Sequence, residues 1–521
     1  MLDAKKVILT LADNTTNTIT DSSRLSTEED YSAAIYSKED LIINGNGTLN
    51  VNAGYRNGIK STDDCIIVSG TLNITSTEDG IIGKDLCGVV AGDININAGS
   101  DGIKSTYDTD TTKGNVIIEG GNITIKASND GIQAENILVI NDGTINIKTN
   151  NGAADTTQTH TDNMYMGRGG FGFNNNKTTT TTDDTAESRK GIKAGNMLII
   201  NDGDITIDSD DDSVHCNSEI YIYGGTINAA TGDDGVHADD LLTVNGGTIN
   251  ITQCYEGIEA DDIVINDGDI SVVSSDDGIN SSDGSITING GNLLINASGD
   301  GLDANGSIII NGGYIVVLGP TSDGDTAIDY DDSCTINGGT VMAFGSSGML
   351  EIPKGASNGA CIVTAFTSVS GGSKYTLSDS NGNEILSYTP SKAYAAAIVY
   401  SDKITTGNTY DITAGSTTLS IEVTSDVTSN VSSGLGKAGG MNKPGNGGSG
   451  MHNNGSSDNG MNGNSNGSMP DMSGNGAPDM NGNSSGDMPS MGGNSSNNSG
   501  NMPNMNNGSS NGNAPQMNNR M

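Results

Sequence analysis

The stretch Asp234-Gly235-Val236-His237-Ala238, then Leu242-Thr243-Val244-Asn245, then Gly246-Gly247 and Thr248-Ile249-Asn250-Ile251, holds three short segments in which apolar and polar residues alternate. Alternation with a period of two, in residues rich in Ile, Val and Thr, is the signature of a strand and not of a helix. The opening block, acidic-Gly-Ile-x-small, recurs at Gly58, Gly80, Gly102, Gly131, Gly191, Ser213, Gly235, Gly257, Gly278, Gly301 and Ala327. Seven of the ten intervals fall within one residue of 22, which is too regular for chance and too short for a two-helix repeat.

Three strands per 22 residues make one coil of a solenoid. Pairs such as Asp142-Gly143, Asp202-Gly203, Asp267-Gly268, Gly290-Gly291 and Gly312-Gly313 recur between the second and third strands, and supply the positive φ of a tight corner. Stacking would align Ile59, Ile103, Ile132, Ile192, Val214, Val236, Ile258, Ile279, Leu302 and Ile328 into one inward column. Ser105, Ala134, Ala194, Cys216, Ala238, Ala260 and Ser281 would line up beside it. The expected fold is all-β, a right-handed parallel β-helix of about eleven coils, since crossovers between parallel strands are almost always right-handed. Coils about 4.8 Å apart give a cylinder on the order of 50 Å long.

The organisation expected is a β-helix over 1–350, a small β cap over 351–430 and a disordered tail over 431–521. Two insertions break the period, Thr106 to Gly114 and residues 152–190. The second carries Met164-Tyr165-Met166-Gly167-Arg168 and Phe171-Gly172-Phe173, and reads more readily as a polar loop than as a ligand contact. The period stops near Ile352, where segments such as Cys361 to Phe366 and Tyr394 to Tyr400 would cover the open end of the stack. Beyond residue 430 Gly, Asn, Ser and Met dominate, with no periodic apolar face.

Composition agrees with a thin core. The 521 residues include 75 Gly, no Trp, 4% aromatics and 33% hydrophobic residues, too little to fill several conventional cores. The net charge is −41, with 23 basic and 64 acidic residues, nearly all of it before the tail. Such a chain lacks the clustered Lys and Arg that nucleic acid requires, and divalent cations become the expected partners. No apolar run is long enough for a transmembrane helix. The opening Met1-Leu2-Asp3-Ala4-Lys5-Lys6 has no signal-peptide character, so the protein is expected to be cytosolic or to be truncated at its N-terminus.

The acidic position before each Gly-Ile gives Asp79, Asp101, Asp130, Asp212, Asp234, Glu256, Asp277 and Asp300, doubled upstream by Glu78, Asp211, Asp233 and Asp276. Stacked about 5 Å apart, like charges repel by roughly 1 kcal/mol per contact even in water. Ca²⁺ relieves this, because it accepts six to eight oxygens in loose geometry. Asp212, Asp233, Asp234, Glu256, Glu259, Asp277, Asp300 and Asp303 are the candidate ligands. The competing reading is that these carboxylates bind backbone N–H groups in turns.

The outward residue of the first strand runs Lys60, Ile82, Lys104, Gln133, Lys193, His215, His237, Glu259, Asn280, Asp303, Asp329, from basic through His to acidic. Such a strip could follow an extended polymer. Lys104 and Lys193 would face carboxylates, and His215 and His237, one coil apart, would share a metal or a sugar. A solvated face without a ligand is the plain alternative. Cys65 and Cys87 also sit one coil apart, and buried thiols are the commoner use of Cys in such a stack. The six Cys form no CxxC pair, so neither zinc nor a disulfide framework is indicated.

Repeated Asn-Gly-Gly-Thr-Ile-x-Ile with Asp-Gly-Ile-x-Ala, the opening Val7-Ile8-Leu9-Thr10-Leu11-Ala12-Asp13-Asn14-Thr15-Thr16-Asn17 and the passage Ala34 to Gly58 together resemble a family of clostridial carbohydrate-binding β-helix proteins with the pectate-lyase superfold. The resemblance spans about residues 7 to 425. It implies a secreted or cell-surface, calcium-containing protein that binds plant cell-wall polysaccharide, including acidic pectic chains and cellulose, without cleaving it. Members carry a signal peptide and further strands upstream of the Val7 segment, which this chain lacks.

The residues leave alternatives. A lyase needs a base near Ca²⁺, and the repeats offer only Arg56, Arg168 and Arg189, with Lys104 or Lys193 as substitutes. Hydrolysis needs two carboxylates at a set separation, which so many Asp could supply. A surface adhesin or scaffold is the third reading. Non-catalytic, calcium-assisted binding of polygalacturonate-like chains by a monomer is the reading preferred here, since a polyanionic protein would repel a polyuronate unless cations intervened.

Overall fold

The computed structural model describes residues 4–22, 31–154 and 188–431. The expected tail over 431–521, apart from Val431, and most of the 152–190 insertion, with Met164, Met166, Arg168, Phe171 and Phe173, lie outside the described residues; of the insertion only a 3-10 turn at Gly152–Ala154 and residues 188–190 are described. Among the described residues nearly all regular structure is strand, and no helix is long and apolar enough to cross a membrane.

Parallel strands stack into three ladders that form a β-solenoid. The first ladder runs from Ala33–Ser37 and Asn57–Ser61 through Val214–Cys216 to Ile328–Tyr330. The second runs from Lys6–Leu11 through Glu219–Ile222 to Ser333–Ile336 and Gly355–Ala356. The third runs from Thr16–Asp21 through Thr226–Thr231 to Thr340–Gly345. About thirteen coils result, against the eleven expected from the repeat. The additional ones lie before Gly58, where Ala33-Ala34-Ile35 stands in the place of Asp-Gly-Ile and hides the period.

The ladders keep the register that the sequence implies. Ile192 pairs with Val214 and Val214 with Val236, so the inward column is continuous. Ile59, Ile103, Ile132, Ile192, Val214, Val236, Ile258, Ile279 and Leu302 are all fully buried. The small residues two positions later are buried with them, so each coil needs only a few apolar side chains. Gly143 and Gly247 turn the corner at φ +128° and +89°, as the corner required. The glycine after the acid is demanded by space and not by φ: a Cβ on Gly235 would lie 2.5 Å from the carbonyl oxygen of Gly257 in the next coil.

After Thr340–Gly345 the third ladder continues with antiparallel neighbours, first Tyr394–Ser401 and then Ala360–Val369. A separate four-stranded antiparallel sheet is built from Glu384–Tyr388, Tyr375–Asp379, Thr409–Ala414 and Thr417–Glu422. This region has a core of its own in which the scarce aromatics gather. The Phe344 ring lies 5.4 Å from Tyr375 and 5.2 Å from Tyr394. Packing of this kind covers the last coil and removes an open sheet edge.

Candidate functional site

The outward line of the first ladder is realised in register: Lys104 pairs with Gln133, Gln133 with Lys193, Lys193 with His215, His215 with His237, His237 with Glu259, Glu259 with Asn280 and Asn280 with Asp303. The acidic row runs immediately beside it, on the turn that enters each first strand.

Every acid of that row except Glu256 uses one oxygen to tie its coil to the next. Asp79 accepts from the Asp101 N–H at 3.1 Å, Asp101 from Asp130 at 3.0 Å and Asp130 from Lys190 at 2.8 Å. Asp212 accepts from Asp234 at 3.1 Å, Asp234 from Glu256 at 3.2 Å and Asp277 from Asp300 at 2.6 Å, while Asp300 takes the Thr326 N–H. These carboxylates therefore take the turn-stabilising role at every position of the row but Glu256, and their second oxygen is left for other partners.

That second oxygen divides the row into two halves. In the first half basic side chains meet it at Asp101, Asp212 and Asp234. Lys104 Nζ lies 2.6 Å from Asp101, and Lys190 Nζ lies 2.7 Å from Asp212 and 2.9 Å from Asp211. His215 Nδ1 is 2.8 Å from Asp212, and His237 Nδ1 is 3.0 Å from Asp234 and 3.1 Å from Glu259. The two imidazole rings lie with their centres 5.0 Å apart and their planes tilted by 49°. Burial raises the Asp101 carboxyl to about 6 despite Lys104. Burial also opposes charge on Asp212, yet Lys190 and the two His hold it well below the usual carboxylate range.

In the second half the row is carboxylate against carboxylate. Asp277, Asp300 and Asp303 bring one oxygen each within 4.8 Å of one another. Burial, followed by the neighbouring acids, pushes Glu256, Asp277 and Asp300 each up to about 9. Glu256 accepts a hydrogen bond from the Asn280 amide at 2.8 Å. The Thr326 hydroxyl, on the residue whose N–H meets Asp300, is buried with no hydrogen-bond partner among the described residues. Three carboxylates make an oxygen-only set of the kind that hard divalent cations accept.

The candidate residues thus fall into groups. Asp211, Asp212 and Asp233 converge, as do Asp234, His237 and Glu259, then Asp212, His215 and His237, then Asp277, Asp300 and Asp303. Glu256 stands beside them, bound to Asn280. Lys104 is engaged by Asp101, and Lys193 reaches Ser188 Oγ at 3.3 Å.

Sequence reading passed over Lys190. It ends the insertion, yet Lys190-Gly191-Ile192 stands in the repeat's own frame, with Lys190 in the acidic place before Gly191. A further carboxylate group, Asp40, Asp63 and Asp64, lies at the start of two neighbouring strands of the second ladder, Asp40–Gly45 and Cys65–Ile67, and carries no repeat signal in the sequence. A cavity of about 530 Å³ bordered by Tyr314, Met342, Ile385 and Lys403 lies at the cap, away from the acidic row. Cys65 and Cys87 pair in register as buried free thiols.

Comparison with known proteins gives the same direction. A carbohydrate-binding domain-containing protein of Acetivibrio thermocellus is 39% identical over 75 residues, which is 14% of this chain and 26% of that protein, so the match spans about a quarter of the relative. No solved structure matches. The family described as carbohydrate-binding domain-containing protein matches residues 1–235 and 233–449, which together cover most of the sequence, and the chain belongs to that family.

Proposed function

We propose that this β-solenoid binds plant cell-wall polysaccharide without cleaving it, along the outward line of the first ladder and with the help of calcium. The ligands would be acidic pectic chains, with cellulose as a second class, and the protein would act as a monomer at the cell surface or outside the cell. Membership of a carbohydrate-binding family supports the ligand class. The observation that carries the finer reading is the division of the row, in which Lys104, Lys190 and His237 meet Asp101, Asp212, Asp234 and Glu259 while the carboxylates of Asp277, Asp300 and Asp303 cluster beyond them.

Asp277, Asp300 and Asp303 fit a calcium ion, with Glu256 near enough for its charge to act on Asp277. When bound, calcium would supply positive charge able to bridge protein and uronate carboxylates. Lys193 would orient the chain along the strip by hydrogen bonds and charge, and the His215 and His237 rings, whose nitrogens are held by Asp212, Asn217, Asp234, Asp239 and Glu259, would border it. Lys104, held by Asp101, would contribute mainly its field.

Cleavage is the second reading, favoured by the buried acids raised to about 9, since a carboxyl kept protonated near neutral pH can act as a general acid. One experiment separates the readings. Pull-down on polygalacturonate that is lost when calcium is chelated supports calcium-assisted binding. Pull-down indifferent to chelation points to an adhesin, and new unsaturated products or new reducing ends point to an enzyme.

A further inference from the structure

His237 has both ring nitrogens turned toward carboxylates. Nδ1 lies 3.0 Å from Asp234 Oδ2 and 3.1 Å from Glu259 Oε2, and Nε2 lies 3.4 Å from Asp239 Oδ1. Asp234 and Glu259 come from different coils, one on the turn before the ring and one on the strand after it, and Asp239 follows the ring by two residues. We propose that Asp234, His237 and Glu259 form a site for one borderline divalent ion of the zinc class, separate from the oxygen-only group at Asp277, Asp300 and Asp303.

Three observations carry this. The first is the donor set: an imidazole nitrogen with two carboxylate oxygens suits zinc-like ions, whereas calcium selects oxygen alone. The second is size. Bonds of about 2.0–2.1 Å at tetrahedral angles place ligand atoms about 3.3 Å apart. The nitrogen-to-oxygen distances of 3.0 and 3.1 Å need to widen only slightly to admit the ion. The third is independent of both and concerns the far side of the ring. A metal-bound His characteristically gives its other N–H to a carboxylate that fixes the tautomer, and Asp239 stands where that acceptor belongs.

The surroundings favour added positive charge. Asp212 and Asp233 lie close by, set against Lys190 and His215. Asp234 is nearly buried while His237 and Glu259 are partly open, so a fourth coordination position would face the outward line of the ladder. The proposal goes beyond calcium-assisted binding and does not depend on it, because the ion differs and the test contains no polysaccharide.

The full-length chain, stripped of metal, would be dialysed against Zn²⁺ in excess Ca²⁺ and its metal content measured. In parallel it would be titrated with Co²⁺ while the visible bands of a low-coordinate cobalt site are followed. One zinc per chain retained against calcium, with matching cobalt bands, is the expected result. His237→Ala should abolish both signals. Asp239→Asn should weaken cobalt about 10- to 100-fold through the outer contact alone. Asp303→Asn should leave zinc uptake unchanged. Circular dichroism checks that each variant is folded, and Asp239→Asn keeps the test decisive should His237→Ala fail to fold. Zinc displaced by calcium, absence of uptake, or zinc and cobalt signals unaffected by Asp239→Asn would each overturn the proposal.

Discussion

The raised carboxyls of the second half of the row make stability depend on pH with a sign opposite to that of an ordinary ion-paired acid. Glu256, Asp277 and Asp300 sit at about 9 in the folded chain, each driven up first by burial. Unfolded, such groups titrate at about 4. Between those values the folded state holds more protons, so stability is fully present below about 4 and is lost as pH rises toward about 9. The three acids interact and titrate together, so the smallest effect is one proton retained by the cluster. One proton corresponds to about 1.4 kcal/mol per pH unit, or about 3 kcal/mol between pH 6 and 8. For a fold of this size that lowers the melting midpoint by about 3–4 °C. The assay is thermal unfolding followed by circular dichroism on metal-free protein across that range, repeated with saturating calcium. Calcium at about 100 times its dissociation constant restores about 2.7 kcal/mol and flattens the slope. Burial opposes charge on His237, but hydrogen bonds to Asp234, Asp239 and Glu259 outweigh it and raise its pKa, which contributes with the same sign. Asp277→Asn isolates the carboxylate share and should reduce the slope. A midpoint that stays level or rises from pH 6 to 8 without metal would refute the reasoning, as would a slope that calcium leaves untouched.

Lys190→Met leaves Asp212 buried and deprived of its ammonium, which should cost about 3–5 kcal/mol in urea unfolding. Gly235→Ala forces a methyl against the Gly257 carbonyl and Ile251, and should destabilise by about 1–3 kcal/mol, read as a lowered melting midpoint. Burial raises the Cys65 thiol and pushes Cys87 up to about 12, so neither should react with iodoacetamide in the native protein, while both should label at once in denaturant.

Much of the fold was legible because a solenoid turns sequence period directly into spatial register. Once Asp234-Gly235-Val236-His237 was seen to recur, the pairing of His215 with His237 and of Asn280 with Asp303 followed from counting. Where the period was disguised the count failed, as at Ala33-Ala34-Ile35, and the number of coils came out low. The aromatic cap core around Phe344 carries no repeat and gave no comparable signal, since its contacts join segments at unrelated separations.

By itself, the sequence determined that the chain coils in parallel strands, that glycine turns each corner, and that acids line up beside a strip running from Lys to His to Asp. These are consequences of identity repeated at fixed spacing, which stacking preserves. Only the tertiary structure decided how each acid spends its two oxygens. Except at Glu256, one reaches the N–H of the following coil, and the other can meet Lys104, Lys190, His215 or His237, or else another carboxylate, according to which side chains the neighbouring turns present. That choice depends on distances of about 3 Å across coils and on the burial that surrounds them, and both arise only when the stack has formed.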